Sequence, residues 1–254
     1  MSKNKAKDSS LVGILRSWLR GNHNSIRYRF VTRPREYLEY GLFRLTGRSW
    51  IDFYANRLDR AASRSGKELV RQRYVDAGKD QFEIIKKYGL KPTTRFLDYG
   101  CGVLRTGVHV IGFVQPKHFV GVEISRDRLE QGLEFVANAG IQPDRFETFI
   151  VKDCELRELG DRQFDFVWAW SVINHMPTGD VVAMLKAMRR HIAPGGHFIF
   201  MYDEGEGEHR IGIKDFKITR DGLRRRCEEA GYRFEVLPDN VVPPCYLARL
   251  TLPA

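Results

Sequence analysis

The spacing of apolar positions changes along this chain of 254 residues. After residue 94, short apolar runs alternate with stretches in which apolar positions recur every three or four residues. The short runs predict strands, and the longer spacing predicts amphipathic helices between them. The predicted strands cover residues 95–98, 118–124, 146–152, 164–170, 197–202, 232–237 and 245–252.

Helical spacing occupies the intervals between these runs, at residues 106–113, 126–139, 179–192 and 219–230. Such alternation predicts a parallel sheet that is covered by helices on both faces. The last two apolar runs have no helical pattern between them, which fits an antiparallel pair. We therefore expect an α/β fold with a doubly wound, mostly parallel seven-stranded sheet.

Three helices are predicted in the sequence before the first strand. Pro34 begins a helix that reaches residue 45, Ser49 caps a second that runs through residue 58, and a third covers residues 67–88. A short basic amphipathic stretch lies within residues 10–20. We expect an N-terminal basic helical cap over residues 1–89 and a ligand-binding domain over residues 90–254.

A glycine turn marks the candidate ligand site. Asp98 ends the first predicted strand, and Gly100 and Gly102 follow it before the next helix. Glycine allows a positive φ and a close approach of backbone to ligand, and ligands bind at the carboxyl ends of parallel strands. Arg105 stands where a G-x-G-x-x-G fingerprint has its third glycine, and Asp98 would repel a pyrophosphate. An NAD-dependent oxidoreductase is therefore disfavoured.

The apolar run that ends in Asp98, Gly100 and Gly102 resembles the first motif, D/E-x-G-x-G-x-G, of the class I S-adenosylmethionine (SAM)-dependent methyltransferases. Leu104 replaces the third glycine of that motif. The resemblance covers about residues 80–254 and implies a Rossmann-like fold with SAM as the cofactor. It also implies that Asp98 and the turn residues Gly100, Cys101 and Gly102 contact the cofactor.

Further cofactor contacts are expected at the ends of the next strands. The Glu123 carboxylate can accept hydrogen bonds from both ribose hydroxyls, although an acid here also suits the start of a helix capped by Ser125. The resemblance implies that Asp153 accepts the adenine amine, with Ile124 and Cys154 beside the ring. We also expect Ser171, after the fourth strand, to contact the cofactor.

Acceptor chemistry is expected just beyond the fourth strand, where the resemblance places a histidine. His175 is our candidate for a general base, because imidazole exchanges protons near neutral pH; a structural or cofactor-lining role is the alternative. Candidate acceptor contacts are Asn174, Tyr202, Tyr74 and the segment 53–56, although aromatic residues in helices are more often core. The acidic, glycine-rich stretch 202–209 is expected to be a mobile surface loop.

Charge is concentrated in the cap. Residues 1–95 hold 22 Lys and Arg against 9 Asp and Glu, a net charge of +13, whereas residues 96–254 carry −3. A basic surface attracts nucleic acid, anionic membranes or phosphorylated ligands, or is simply solvated. Peripheral membrane contact through residues 10–20 and a homo-oligomer both stay open.

We expect a methyltransferase that acts on an oxygen or nitrogen of a small-molecule or carbohydrate-type acceptor. An RNA methyltransferase that uses the basic N-terminal region is one alternative. A non-catalytic, SAM-binding or membrane-associated partner protein is the other. No metal is expected, because the four cysteines form no C-x-x-C pair and the histidines no H-E-x-x-H motif. Without a recognisable secretory pattern, we expect a cytoplasmic protein, and a peripheral location at the inner membrane face stays open.

Overall fold

The computed structural model describes residues 28–65, 72–238 and 245–253. Seven strands form one sheet in the order β3-β2-β1-β4-β5-β9-β8. The first five strands of that order are parallel, and β9 pairs antiparallel with both β5 and β8. This arrangement confirms the predicted doubly wound sheet and its antiparallel last pair. The sheet strands are β1 Phe96–Tyr99, β2 Phe119–Glu123, β3 Phe146–Ile150, β4 Phe164–Ala169, β5 Ile192–Asp203, β8 Arg233–Val236 and β9 Cys245–Thr251.

Seven α-helices accompany the sheet in the described part of the chain. A π-helical turn, Tyr28–Thr32, leads into the first of them, and a 3-10 turn, Ile173–His175, follows β4. The helices are α1 Arg33–Arg44, α2 Trp50–Ser65, α3 Gln72–Lys87, α4 Gly107–Phe113, α5 Arg126–Asn138, α6 Thr178–Met188 and α7 Arg220–Glu229.

Two apolar layers hold helices against the two faces of the sheet. Helices α6 and α7 cover one face, through residues such as Met184 and Leu223, and α3, α4 and α5 cover the other, through residues such as Ile85. The parallel strands are apolar in nearly every position because both of their faces are buried. Helices therefore flank both faces, as predicted.

Strand β5 is longer than its pattern predicts. It begins at Ile192, which pairs with Phe164, and the register shifts before His197 pairs with Phe166. Gly195, with a φ of +77°, lies within this irregular stretch. The sequence Pro194-Gly195-Gly196 is typical of a loop, so the first part of the strand could not be recognised from composition.

The cap is a layer formed by α1, α2 and a short hairpin of two strands, β6 His209–Ile211 and β7 Asp215–Lys217. The surface loop predicted for residues 202–209 is therefore shorter than expected: residues 204–208 connect β5 to the hairpin, whereas residues 202 and 203 end β5 and residue 209 begins β6. Trp50 and Phe53 of α2 pack with Ile213 and Phe216 of the hairpin. This contact closes the cap over the carboxyl edge of the sheet.

Helix α2 is also fixed at its other end. Asp59 accepts hydrogen bonds from Ser125 Oγ at 2.6 Å and from the Asp127 amide at 3.2 Å, at the N-terminus of α5. An aspartate stabilises a helix N-terminus both by capping and by its charge. The helix α2 thus spans from the end of β2 to the hairpin.

Two predictions about the N-terminal third are not tested by these features. The division of the chain at residue 89 stays a prediction, and the amphipathic stretch at residues 10–20 lies outside the described residues. In the described part, no helix is long and apolar enough to cross a membrane.

Candidate functional site

A cavity of about 500 Å³ lies between the carboxyl edge of the sheet and the cap. We call its first wall the sheet half, which consists of Gly100–Gly102, Glu123–Ile124, Asp153 and Ser171. Trp50, Tyr54 and Lys214 form the cap half. The volume is in the range of small-molecule sites, and the position is the usual ligand crevice of an open α/β sheet.

The turn after β1 requires glycine. Gly100 has a φ of +80°, and a Cβ atom there would lie 2.4 Å from Cγ2 of Val172. Gly102 has a φ of +57°, and a Cβ atom there would lie 3.0 Å from Nη2 of Arg128. Residues with side chains rarely adopt these φ values, and the bare backbone lets a ligand approach closely.

Leu104, which stands in place of the third motif glycine, also adopts a left-handed conformation, with a φ of +54°. This conformation costs a leucine about 1–2 kcal/mol of backbone energy. The side chain is fully buried, a gain of about 2 kcal/mol that offsets the cost. Gly107 leaves room for it, since a Cβ atom there would lie 2.9 Å from Cδ2 of Leu104.

Glu123 holds the turn in place. Its Oε2 atom accepts a hydrogen bond from the Gly102 amide at 2.8 Å, and Oε1 accepts from the amides of Ile124 at 2.9 Å and Ser125 at 3.0 Å. A carboxylate offers about four lone-pair positions, so three amides leave about one for a ligand. The predicted contact with both ribose hydroxyls therefore requires one hydroxyl to share or displace an amide hydrogen bond.

Asp98 lies in β1 beneath the turn and is only 5% exposed. Burial and, to a smaller extent, the Glu123 carboxylate raise the pKa of its carboxyl to about 7, although Arg105 opposes the shift. A cationic group bound nearby would favour the charged carboxylate. Contact with the cofactor ammonium, as predicted for Asp98, would therefore couple cofactor binding to loss of a proton.

Four more of the predicted cofactor residues line the cavity: Cys101, Ile124, Asp153 and Ser171. Ser171 has a φ of +56°, and such strained residues cluster at functional sites. One oxygen of Asp153 accepts the Glu155 amide at 2.8 Å, and the side chain is about half exposed. Cys154, in contrast, is buried in the core on the α6–α7 face of the sheet.

His175 joins the two halves of the cavity. Its carbonyl accepts a hydrogen bond from Trp50 Nε1 at 3.0 Å, and its ring centroid lies 5.6 Å from that of Tyr54. Its Nδ1 atom lies 3.1 Å from the carbonyl oxygen of Lys214 and 3.2 Å from Oδ1 of Asp215. Because both neighbours of Nδ1 are acceptors, Nδ1 carries the proton, and Nε2 keeps its lone pair in the neutral ring.

Two of the predicted acceptor contacts, Tyr202 and Asn174, do not line the cavity. Tyr202 does not face the cavity, because its ring is fully buried in the core, where it packs against Phe200 and Tyr246. Asn174 is 8% exposed, and its Oδ1 atom has no hydrogen-bond partner among the described residues. Tyr74 lies in α3, but its side chain is outside the described part.

Within the segment 53–56, Tyr54 lines the cavity, whereas Phe53 packs into the cap. Burial raises the pKa of the Tyr54 phenol, the Asp215 and Glu123 carboxylates raise it further, and Arg128 opposes the shift. The phenol therefore stays protonated near neutral pH and is a hydrogen-bond donor.

Sequence reasoning missed Lys214, Asp215 and Trp50 as site residues. Lys214 and Asp215 lie on the hairpin, and the glycine-rich sequence before it did not indicate two more strands. Trp50 follows a clear helix cap at Ser49, but nothing in its local pattern separates a cavity residue from a core residue. Across the described residues, no cluster of His, Cys, Asp or Glu has metal-binding geometry.

Comparison with known families gives a match to the methyltransferase domain family over residues 97–198. This segment begins in β1, includes the glycine turn, Glu123 and His175, and ends in β5. Residues 97–198 are therefore similar to a methyltransferase domain, and the fold around them is that of class I SAM-dependent methyltransferases. Structural neighbours of this domain have been solved with SAM or its product, S-adenosylhomocysteine (SAH), in agreement with SAM as the cofactor.

The sequence relatives of this methyltransferase domain include phosphoethanolamine N-methyltransferase 1 of Arabidopsis thaliana. The two sequences are 27% identical over 114 residues, which are 45% of this chain and 22% of the plant protein. The protein of the same name from Zea mays is 28% identical over 114 residues, which are 45% of this chain and 21% of that protein. The match thus spans less than a quarter of these relatives.

Solved structures extend the likeness beyond the matched segment. Magnesium protoporphyrin IX methyltransferase from Synechocystis PCC 6803, with bound SAM, has a TM-score of 0.62 at 11% identity and covers 81% of this chain and 98% of its own. The DhpI complex with SAH has a TM-score of 0.56 at 18% identity and covers 80% of this chain and 94% of its own. At these identities, the likeness establishes the methyltransferase fold alone.

Proposed function

We propose that this protein transfers the methyl group of SAM to an oxygen or nitrogen atom of a small-molecule or carbohydrate-type acceptor. The observation that carries the proposal is the juxtaposition of the sheet half and the cap half around one cavity, with His175 between them. A cavity of about 500 Å³ walled by Trp50 and Tyr54 favours a compact acceptor over a polymer.

The sheet half would hold the cofactor. The turn Gly100–Gly102 offers bare backbone, Glu123 offers its remaining lone pair to the ribose, and Asp98 lies below to balance the ammonium charge. Asp153 and Ile124 would border the adenine ring. Bound SAM supplies a sulfonium-activated methyl group, so the protein has mainly to align the acceptor and exclude water.

His175 would remove the acceptor proton when the acceptor is a hydroxyl. With the proton on Nδ1, the lone pair of Nε2 is available for a second proton, and the Asp215 carboxylate 3.2 Å from Nδ1 would stabilise the resulting cation. The phenol of Tyr54, next to the ring, would donate a hydrogen bond in the same space. The backbone hydrogen bond from Trp50 keeps His175 in position.

An RNA acceptor is the second candidate, and the net charge of +13 over residues 1–95 favours it. Phosphate contacts would make binding strongly dependent on salt concentration. A non-catalytic SAM-binding protein is the third. The second candidate predicts an RNA complex whose affinity depends on the salt concentration. The third predicts cofactor binding without methylated product from any acceptor.

Calorimetric titration of the purified protein with SAM, SAH and NAD tests the cofactor first. We expect binding of SAM and SAH and none of NAD; absence of both SAM and SAH binding would refute the proposal. A screen of hydroxyl and amine acceptors, read out as SAH production, then tests the transfer. An exclusive response to RNA would select the second candidate instead.

The role of His175 is tested by His175→Ala, with His209→Ala as the matched control because His209 is an exposed histidine on the hairpin. For a hydroxyl acceptor, we expect a loss of about 100-fold in kcat with an unchanged Kd for SAH. The control should keep full activity. Equal turnover of the His175 variant and the native protein across a pH series would exclude His175 as the general base.

A further inference from the structure

We propose that the solvent-facing side of α1 docks the protein onto an anionic lipid bilayer. Most of the large apolar side chains that are exposed in the described part of the chain belong to this helix or to the residues that flank it. We call five of them the α1 stripe: Phe30 at 75% exposure, Val31 at 53%, Leu38 at 64%, Leu42 at 58% and Leu45 at 84%.

The stripe forms one face of the helix. Residues 38, 42 and 45 are separated by four and three positions, which brings them to the same side of an α-helix, and Phe30 and Val31 are exposed in the turn just before it. The opposite side faces α2: the rings of Tyr40 and Phe43 lie 4.9 and 5.3 Å from that of Phe53. The exposed leucines therefore do not take part in the packing of α1 against α2.

Charge makes this face suitable for anionic lipid. Arg33, Arg35 and Arg44 on α1, and Arg48 just after it, are exposed. The two acids of the helix are turned towards α2, where Glu36 pairs with Arg57 and Glu39 with Arg60 at 2.5 Å. At 100° per residue, Arg35 lies beside the leucines, and the other three arginines are exposed towards the two ends of the helix. That combination is typical of helices that lie in a membrane interface.

The same arginines argue against other partners. A second copy docked by the same face in a two-fold contact would bring like charges together. RNA would satisfy the arginines but leave the leucines in water. An anionic bilayer accommodates both, because the apolar side chains enter the acyl boundary while the guanidinium groups stay with the phosphates.

The sequence that precedes α1 is also basic. Residues 1–27 carry six Lys or Arg against one Asp and contain the amphipathic stretch at 10–20. A bilayer in contact with α1 would therefore meet further positive charge from the preceding residues. Because α2 connects α1 to the cavity, docking would also place the cap half of the cavity next to the membrane surface.

Vesicle co-sedimentation of the full chain tests the proposal. We expect binding to vesicles of equal parts phosphatidylglycerol and phosphatidylcholine, and little binding to phosphatidylcholine alone. The paired substitutions Leu38→Glu and Leu42→Glu should abolish it. The matched control is Leu133→Glu, since Leu133 is 37% exposed on α5, away from the stripe.

The charge contribution has its own pair of variants. Arg35→Gln with Arg44→Gln should weaken the partition coefficient about 30-fold, because each interfacial arginine contributes about fivefold. Arg126→Gln with Arg233→Gln removes two exposed arginines elsewhere and should have much less effect. Calorimetric binding of SAH shows that each variant is folded.

Three outcomes would overturn the proposal. The first is absence of native binding to the anionic vesicles, and the second is equal binding by the Leu38→Glu, Leu42→Glu variant, which would assign binding to other residues. The third is a lower thermal midpoint, or a changed elution volume, of that variant measured in the absence of vesicles. A lower midpoint would show that the N-terminal segment of the same chain covers the stripe, and a changed elution volume would show that a second copy does.

Discussion

The sheet half and the cap half of the cavity are built in different ways. In the sheet half, the parallel register of β1 and β2 brings Gly102 against Glu123, so two strand ends are enough to form the turn. In the cap half, Trp50 of α2 reaches Phe216 of the hairpin, with ring centroids 5.6 Å apart. The first arrangement follows from local sequence and sheet topology, whereas the second depends on contacts between distant segments.

This difference separates two kinds of measurement. Substitutions in the sheet half should change cofactor affinity, and substitutions in the cap half should change turnover or the stability of the cap. Variants that affect both quantities equally would show that the halves are a single unit. The five predictions below follow from this separation, from the largest expected effect to the smallest.

Glu123→Gln should raise the Kd for SAH about 100-fold, because a glutamine cannot accept the three amide hydrogen bonds that the carboxylate accepts. The turn should lose its fixed geometry, although the side-chain volume is retained. Calorimetry measures the Kd, and Glu130→Gln, an exposed glutamate on α5, is the matched control. A change in Kd below threefold would contradict the role of Glu123.

Cofactor affinity should rise with pH up to about 7 and then level off. The pKa of Asp98 is about 7 in the folded protein, so at lower pH the binding of an ammonium group must displace a proton. Below this pKa, the Kd should fall by up to about tenfold for each unit of rising pH, and this dependence should be absent in Asp98→Asn. If the affinity of the native protein for SAH did not change between pH 5 and pH 7, this coupling to Asp98 would be contradicted.

The same carboxyl has an opposite effect on folding. Its folded pKa lies above the unfolded value of about 3.9, so the folded protein holds this proton more tightly than the unfolded chain. The contribution of Asp98 to stability is therefore present below about pH 4 and is lost as the pH rises to about 7. Thermal unfolding of the native protein and Asp98→Asn, compared at both ends of this range, measures the difference.

Asp215→Asn should lower kcat about tenfold with a hydroxyl acceptor and leave the Kd for SAH unchanged. The carboxylate lies 3.2 Å from His175 Nδ1, so its removal destabilises the protonated imidazole. The acid limb of the rate profile should move to lower pH, a shift that a purely structural role would not cause. Asp221→Asn, on an exposed residue of α7, is the control, and Asp215→Glu should restore part of the rate.

The sheet half could be predicted from the sequence because each of its residues has a local signature. Asp98, Gly100 and Glu123 stand at fixed positions relative to strand ends, and strand ends follow from apolar periodicity. Even there, the sequence did not indicate that Glu123 already holds three backbone amides. That fact depends on the distance between two turns, which periodicity does not contain.

The cap half could not be predicted because its partners are distant in the chain. Tyr54 and His175 were candidates, but Asp215 became relevant only when the hairpin placed it against Nδ1. Tyr202 illustrates the opposite case: a tyrosine near a strand end resembles a ligand contact, yet here it packs fully in the core. Alternation along a strand alone does not say which face meets a cavity.

Arg210→Lys should weaken the cap by about 1 kcal/mol and leave the Kd for SAH unchanged. The guanidinium lies 4.8 Å from the ring of Trp50 and 5.1 Å from that of Phe216, and it donates to the carbonyl of Ile213. Lysine keeps the charge but loses the planar stacking on these rings.

We expect the thermal midpoint of Arg210→Lys to fall by about 2–4 °C, the shift that 1 kcal/mol causes in a domain of this size. Arg233→Lys, at an exposed position of β8, should not change it. A raised Kd for SAH at an unchanged midpoint would reverse the assignment, because it would show that the hairpin supports the sheet half and not the cap.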